Sequence, residues 1–349
     1  MATDEQTVQR KPSRMRRRML IMLAVVLVIA VAWSVFWFVA AAYSERLYLQ
    51  IVDQGIEQDV AFDCVDRRIE GYPFRIELRC GEGTSLTTPD ATIELGGLTA
   101  VALIYDPWHA ITELSAPAVV SEGPFDPTTI TWSLAHASVA ISDGALERLS
   151  ISIEQPRAEP SELPPLVADL AEIHLRSDPN SNEAVNVAVR LDGLEPIAAA
   201  PKADLMLVAT VDGARSLMSG DTASAVRRLL TSEGVPIKLT RVSVKAGQAA
   251  VSAAGNLVVR PNGMLDGQLN VAVSGDGASL PYLDELAPSQ ADTLRNIVTT
   301  VLSFGQATQI DGEAARAFPL KISSGRVSAG IIPLGKLPPL PIGLLAVGG

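Results

Sequence analysis

Aromatic residues make up only 5% of this 349-residue chain, and it has two cysteines and three histidines. His109, His136 and His174 stand apart from one another and from any second ligand at a recognised spacing, which argues against a metal centre. Charged residues are also few, at 19%, and they lean acidic, with 28 Lys and Arg against 39 Asp and Glu for a net of −11. Phosphate recognition needs clustered basic side chains, so nucleic acid is not an expected partner of the body. Several catalytic signatures are missing as well. There is no G-x-S-x-G elbow and no H-E-x-x-H helix. Gly330-Ile-Ile-Pro-Leu-Gly335-Lys336 imitates a P-loop, but Leu337 stands where a Mg²⁺-binding Ser or Thr is required, and the prolines forbid the helix. No couple of carboxylates stands out for glycoside chemistry. Asp106 and His109 share one short loop, yet no serine is evident to complete a nucleophilic set. The expectation is no enzyme and no cofactor.

What the chain does have is aliphatic carbon. It is 48% hydrophobic, too apolar for a disordered protein, and its 26 Gly and 23 Pro are scattered, as suits many strands joined by turns. Much of the apolar character is concentrated in Met19–Ala42, which holds no charged residue. As a helix this run reaches roughly 36 Å, enough to cross a hydrocarbon core of about 30 Å. Residues 1–18 carry six basic side chains against Asp4 and Glu5. The positive-inside rule therefore puts the N-terminus in the cytoplasm, and Trp33, Trp37 and Tyr43 fall toward the far interface. Ala40-Ala41-Ala42 could serve as a cleavage site, but a signal peptide's apolar core is about 7–15 residues long, shorter than this run. The reading is a single-pass anchor of the inner membrane, with the body in the periplasm.

Export gives the two cysteines a meaning. In an oxidising compartment an even number suggests a disulfide. Cys64 and Cys80 flank Gly71-Tyr72-Pro73 symmetrically, with the midpoint at residue 72. Segments folded back about that midpoint would set the two directly opposite, about 4.5 Å apart at Cα, within disulfide range. So short a closed loop stabilises by about 3 kcal/mol. A redox-active pair would want Cys-x-x-Cys beside a helix, so a structural staple is the expectation.

The chain divides as follows: a basic cytoplasmic tip over 1–18, the span over 19–42, a membrane-proximal helix over 43–58, a first β-rich half over 59–160 and a second over 161–349 that includes helices. The proline-rich 156–165 marks the boundary. Period-two segments at 91–95, 98–105, 129–142, 146–153 and 184–191 read as antiparallel strands. Thr222–Glu233 and Pro288–Leu302 read as amphipathic helices. Asp143-Gly-Ala-Leu146, Asp266-Gly-Gln-Leu269 and Ser324-Gly-Arg-Val327 read as turns that each open a strand, and Arg260-Pro-Asn-Gly263 as a further hairpin. The fold class is α+β, mostly antiparallel β: a long twisted sheet with a few packed helices behind one transmembrane helix.

Gly71-Tyr72-Pro73-Phe74 between two cysteines, after an N-terminal anchor, resembles the hallmark of a bacterial envelope family, domain of unknown function 2125. Tyr105-Asp106-Pro107-Trp108 and the ending Ser324-Gly-Arg-Val, Ile332-Pro-Leu-Gly and Pro338-Pro-Leu340 fit the same family, so the resemblance spans most of residues 15–340. It brings no catalytic residues. The Asp-Gly-x-Leu hairpins are also similar to those of AsmA-like envelope proteins, which implies a long twisted sheet with an apolar concave face. Two functions follow as expectations. One is a non-enzymatic scaffold or assembly factor of the cell envelope, which presents sheet edges or Pro-rich segments to envelope proteins. The other is a binder of lipid or another amphipathic ligand along an apolar sheet groove.

Overall fold

A computed structural model describes residues 14–56, 59–89, 91–121, 127–161, 164–195, 201–219, 234–274, 299–300 and 302–340. The chain opens with one continuous helix, α1 (Arg14–Ile56), of 43 residues. The apolar run and the amphipathic segment after it share this one rod, because neither proline nor glycine interrupts them before Gly55. At Gly55 the chain turns back: Val60 N–H donates to Gly55 O at 2.8 Å. A Cβ at Gly55 would stand 2.8 Å from Val60 O, so this turn needs a glycine. The helix is long and apolar enough to cross a membrane, a test that a signal sequence near an N-terminus also passes.

Among the described residues all strands belong to one 21-stranded sheet. The first are β1 (Ala61–Asp63), β2 (Arg68–Glu70), β3 (Arg75–Cys80), β4 (Thr84–Thr87), β5 (Thr92–Leu103) and β6 (Asp106–Ser121). Next come β7 (Thr128–Thr131), β8 (Leu134–Ser142), β9 (Ala145–Glu154), β10 (Arg157–Pro160), β11 (Leu166–Val167), β12 (Leu170–Ser177), β13 (Val185–Leu194) and β14 (Ala203–Val211). The last are β15 (Val235–Ala246), β16 (Ala249–Val259), β17 (Leu265–Ser274), β18 (Gln306–Ile310), β19 (Glu313–Ser323), β20 (Arg326–Ala329) and β21 (Ile332–Lys336).

The pairings are antiparallel and mostly sequential. From β3 the ladder passes through β5, β6, β8, β9, β12, β13, β14, β15, β16 and β17 to β19. Long strands serve two short neighbours on one side. β5 takes β4 along its first part and β3 along its second, and β6 divides in the same way between β8 and β7. The proline-rich segment supplies β10, which pairs with β7, while β9 pairs directly with β12 across it.

Two local readings change. Asp266-Gly267 is not a turn but lies inside β17, opposite Val258 and Leu257; the turn is at 261–263, closed by Gly263 N–H to Arg260 O at 2.8 Å. Gly267 faces close backbone instead. A Cβ there would lie 2.2 Å from Asn256 O, and one at Gly255 would lie 2.1 Å from Gln268 O, so the two glycines let β16 and β17 press together. The segment 129–142 is two strands, broken at Trp132, whose indole N–H donates to Leu114 O at 2.9 Å. The helix expected at Thr222–Glu233 lies outside the described residues. Of Pro288–Leu302 only Thr299, Thr300 and Leu302 are described, in helical conformation.

Candidate functional site

The end of the body nearest the long helix is built by the chain doubling back along α1. Phe62 meets Tyr48, with ring centroids 6.2 Å apart. The Arg67 guanidinium lies 4.6 Å over the same Tyr48 ring and pairs with Glu45 at 3.2 Å. Further along, the Gly71-Tyr72-Pro73-Phe74 turn reaches the apolar part of the helix. Trp33 Nε1–H donates to Pro73 O and Trp37 Nε1–H to Arg75 O, both at 2.9 Å, and Ser34 Oγ and Tyr72 OH share a 2.8 Å hydrogen bond. Rings interlock around these bonds: Trp33 against Phe74 at 6.1 Å, and Trp37 edge-on to Tyr72 at 5.5 Å. Trp37 is left 5% exposed. The two indoles, expected as interface belt residues, are therefore donors to the hairpin.

The structure joins Cys64 to Cys80 with a Cα separation of 5.1 Å, but by a different register from the symmetric one. The β2–β3 ladder pairs Arg68 with Arg79 and Glu70 with Glu77, so its centre falls between residues 73 and 74, not at 72. That register sets Cys80 opposite Arg67. Cys64 reaches it from outside the ladder because the chain bends at Asp66, where φ is +49°, and Gly81 N–H ties the bend down through Val65 O at 2.7 Å. Alternation alone gave no sign of this kink. On the same hairpin Glu77 is buried at 3% exposure and held between Arg75, at 3.0 Å, and Arg79.

From this hairpin an apolar face runs the length of the sheet. Residues paired across an antiparallel ladder project to the same side. The pairings Ala137, Ile151, Ile173, Val189, Leu207 and Val242 form one unbroken row across β8 to β15. Toward the hairpin the row continues through Thr112 and Ala100 to Leu78, and away from it through Ala253 and Val271 to Phe318. A second row beside it, Val139, Leu149, Leu175, Val187, Ala209 and Leu239, is equally aliphatic. The middle of this face is half-buried, with Ile173 41% exposed, whereas Val271 and Val273 farther along are buried. A 3₁₀ turn, Ala214–Ser219, covers one margin by packing Leu217 and Met218 on Leu175, Val185 and Val187.

The opposite face is polar in its middle, its first row running on through Ile111 and Val101 on one side and Ala188 and Val208 on the other. It carries Ser138, Ser150 and His174 in one row and His136, Ser152, Glu172 and Arg190 in the next. Arg190 pairs with Asp192 at 2.6 Å, and that hydrogen bond raises its pKa above the ordinary guanidinium value.

This face also revises the reading of His109. Ser138 Oγ lies 2.9 Å from His109 Nε2, brought there by the β6–β8 register from 29 residues away, while Asp106 Oδ2 is 3.9 Å from Nδ1. The order Asp, His, Ser is present in outline. The Asp–His distance exceeds hydrogen-bond length, and the groups sit on an exposed strand surface, with the His109 and Asp106 side chains 37% and 52% accessible. Among the described residues no group of three or more His, Cys, Asp or Glu is placed to hold a metal ion.

A family model described as an uncharacterized protein conserved in bacteria (DUF2125) matches residues 37–338. No curated protein and no solved structure matches the chain.

Proposed function

We propose a function from one premise: the chain belongs to the uncharacterized bacterial family DUF2125. In this reading α1 is a permanent single-pass anchor in the inner membrane, its basic start lies in the cytoplasm, and the disulfide-stapled body stands in the periplasm. Permanence is supported by the clamp. Trp33 and Trp37 are bonded to hairpin carbonyls, and cleavage at Ala40–Ala42 would strip the body of both donors.

The body binds the acyl part of a lipid or similar amphipath along its apolar face. One observation carries this: the cross-strand row from Leu78 to Phe318 is continuous in register, almost wholly aliphatic and half-exposed at its centre, and it starts at the hairpin that grips the membrane helix. Each methylene laid on such a surface gains about 0.8 kcal/mol when fully covered, so a chain of ordinary length has ample driving force.

The test is a photo-crosslinking amino acid placed at Ile173 in the full-length protein in cells, with His174, its neighbour on the polar face, as control. A lipid adduct is expected from position 173 and none from 174. Equal yields, or no lipid at either position, would sink the reading. Protein adducts concentrated at 174 would favour the scaffold or assembly role instead.

A further inference from the structure

We propose that the body makes a second contact with the membrane: the 71–75 hairpin tip and the adjoining 103–108 turn insert into the non-cytoplasmic leaflet of phospholipid beside α1. The proposal rests on reading α1 as a membrane span and is independent of whether the sheet binds lipid.

The argument is one of helix depth. A hydrocarbon core takes about 20 helical residues. Starting after Arg18, the core extends to about residue 38, so Trp33, Ser34 and Trp37 lie within its outer part. The tip is bonded to those three residues and lies at the same depth. For the tip to stay in water, the core would have to end before Trp33 and begin near residue 13. That would bury Arg16, Arg17 and Arg18 in hydrocarbon, the costliest placement for a cation.

The tip also has the chemistry that depth demands. Irregular backbone is tolerated there only when its polar groups have partners. Gly71 O accepts from Arg75 N–H at 3.1 Å and Phe74 O from Ile104 N–H at 3.0 Å. Pro73 O and Arg75 O accept from the two indoles, and Pro73 has no N–H to satisfy. The Ile104–Phe74 bond brings the second turn alongside. What the pair of turns presents outward is mainly apolar and aromatic: Tyr72, Phe74, Leu103, Tyr105 and Trp108 are 54%, 60%, 39%, 70% and 63% exposed, with two charged side chains beside them, Arg75 paired to Glu77 at 3.0 Å and Asp106 at 3.9 Å from His109. In a chain with 5% aromatic residues, this is the composition of an interfacial belt.

The experiment uses the full chain in nanodiscs of phosphatidylethanolamine and phosphatidylglycerol. A spin label is carried on an unnatural amino acid at Tyr105, at Val28 within the span, or at Ile331, a loop residue 99% exposed. Collision with oxygen is compared with collision with a water-soluble nickel chelate. Nickel collisions at Tyr105 are expected to fall several-fold below those at Ile331, toward the Val28 value. A dry Val28 with Tyr105 as wet as Ile331 would overturn the insertion alone. A wet Val28 would overturn the anchor reading and the insertion together.

Discussion

The two ends of the sheet secure their turns in opposite ways. At the hairpin end, turn carbonyls are held by indole N–H groups of α1, and the exposed surface is rings. At the far end, the turn after β19 is held by a carboxylate. Asp266 accepts from Ser324 N–H and from Arg260 Nε, the latter at 2.6 Å. Both solve the same problem of unpaired backbone groups at a strand reversal. The difference lies in the surroundings each can tolerate. An ionised side chain is inexpensive in water and very costly in hydrocarbon, whereas a neutral indole serves in either medium. The choice of partner is thus the one the proposed insertion requires, with neutral donors at the end placed in lipid and a charged acceptor at the end left in water.

Three changes would break or sharpen this contrast. The largest effect is expected from Trp37→Ala, which removes a nearly buried ring and the donor to Arg75 O. Thermal unfolding of the full chain in detergent should show a loss of about 3–5 kcal/mol, and a loss near zero would mean that the hairpin does not depend on the helix. Next is the double change Cys64→Ser, Cys80→Ser. Opening a link between residues 16 apart in sequence should cost about 3 kcal/mol in the same assay. The smallest effect, confined to the far end, is expected from Asp266→Asn. The Ser324 amide, then Arg260, hold the Asp266 carboxyl below its ordinary 3.8. Its contribution is therefore present above 3.8 and lost as pH falls through the lower folded value. Urea midpoints should show the variant slightly weaker at neutral pH and the gap closing below 3.8. A gap that stays constant with pH would show that the carboxylate's charge is irrelevant.

Much of the architecture was legible because it rests on local pattern. The uncharged run before Tyr43 gave the helix, period-two segments gave the strands, and the enclosed Gly-Tyr-Pro gave the hairpin. What stayed hidden depended on contacts distant in sequence. Trp33 and Pro73 are 40 residues apart, and nothing in either neighbourhood signals the other. His109 and Ser138 meet only because β6 and β8 share a particular register. The positive φ at Asp66 moved Cys64 off the ladder while keeping it bonded to Cys80, so a correct pairing arose from a different geometry. The apolar face was the intermediate case. Alternation within each strand could be read, but whether the apolar parity of one strand meets that of the next is decided by the turns and bulges between them.

The unbroken run of α1 from Arg14 to Ile56, gripped at Trp33, Trp37, Glu45 and Tyr48, makes the connection between anchor and body a stiff stalk instead of a leash. A body mounted in this way has no swing radius: with α1 as the proposed anchor, its height and tilt above the lipid follow those of the helix. On the proposed function, a partner that exchanges lipid with the body must come to that fixed station, and a flexible insertion placed after Ile56 would leave the height set by the grip at Trp33 and Trp37.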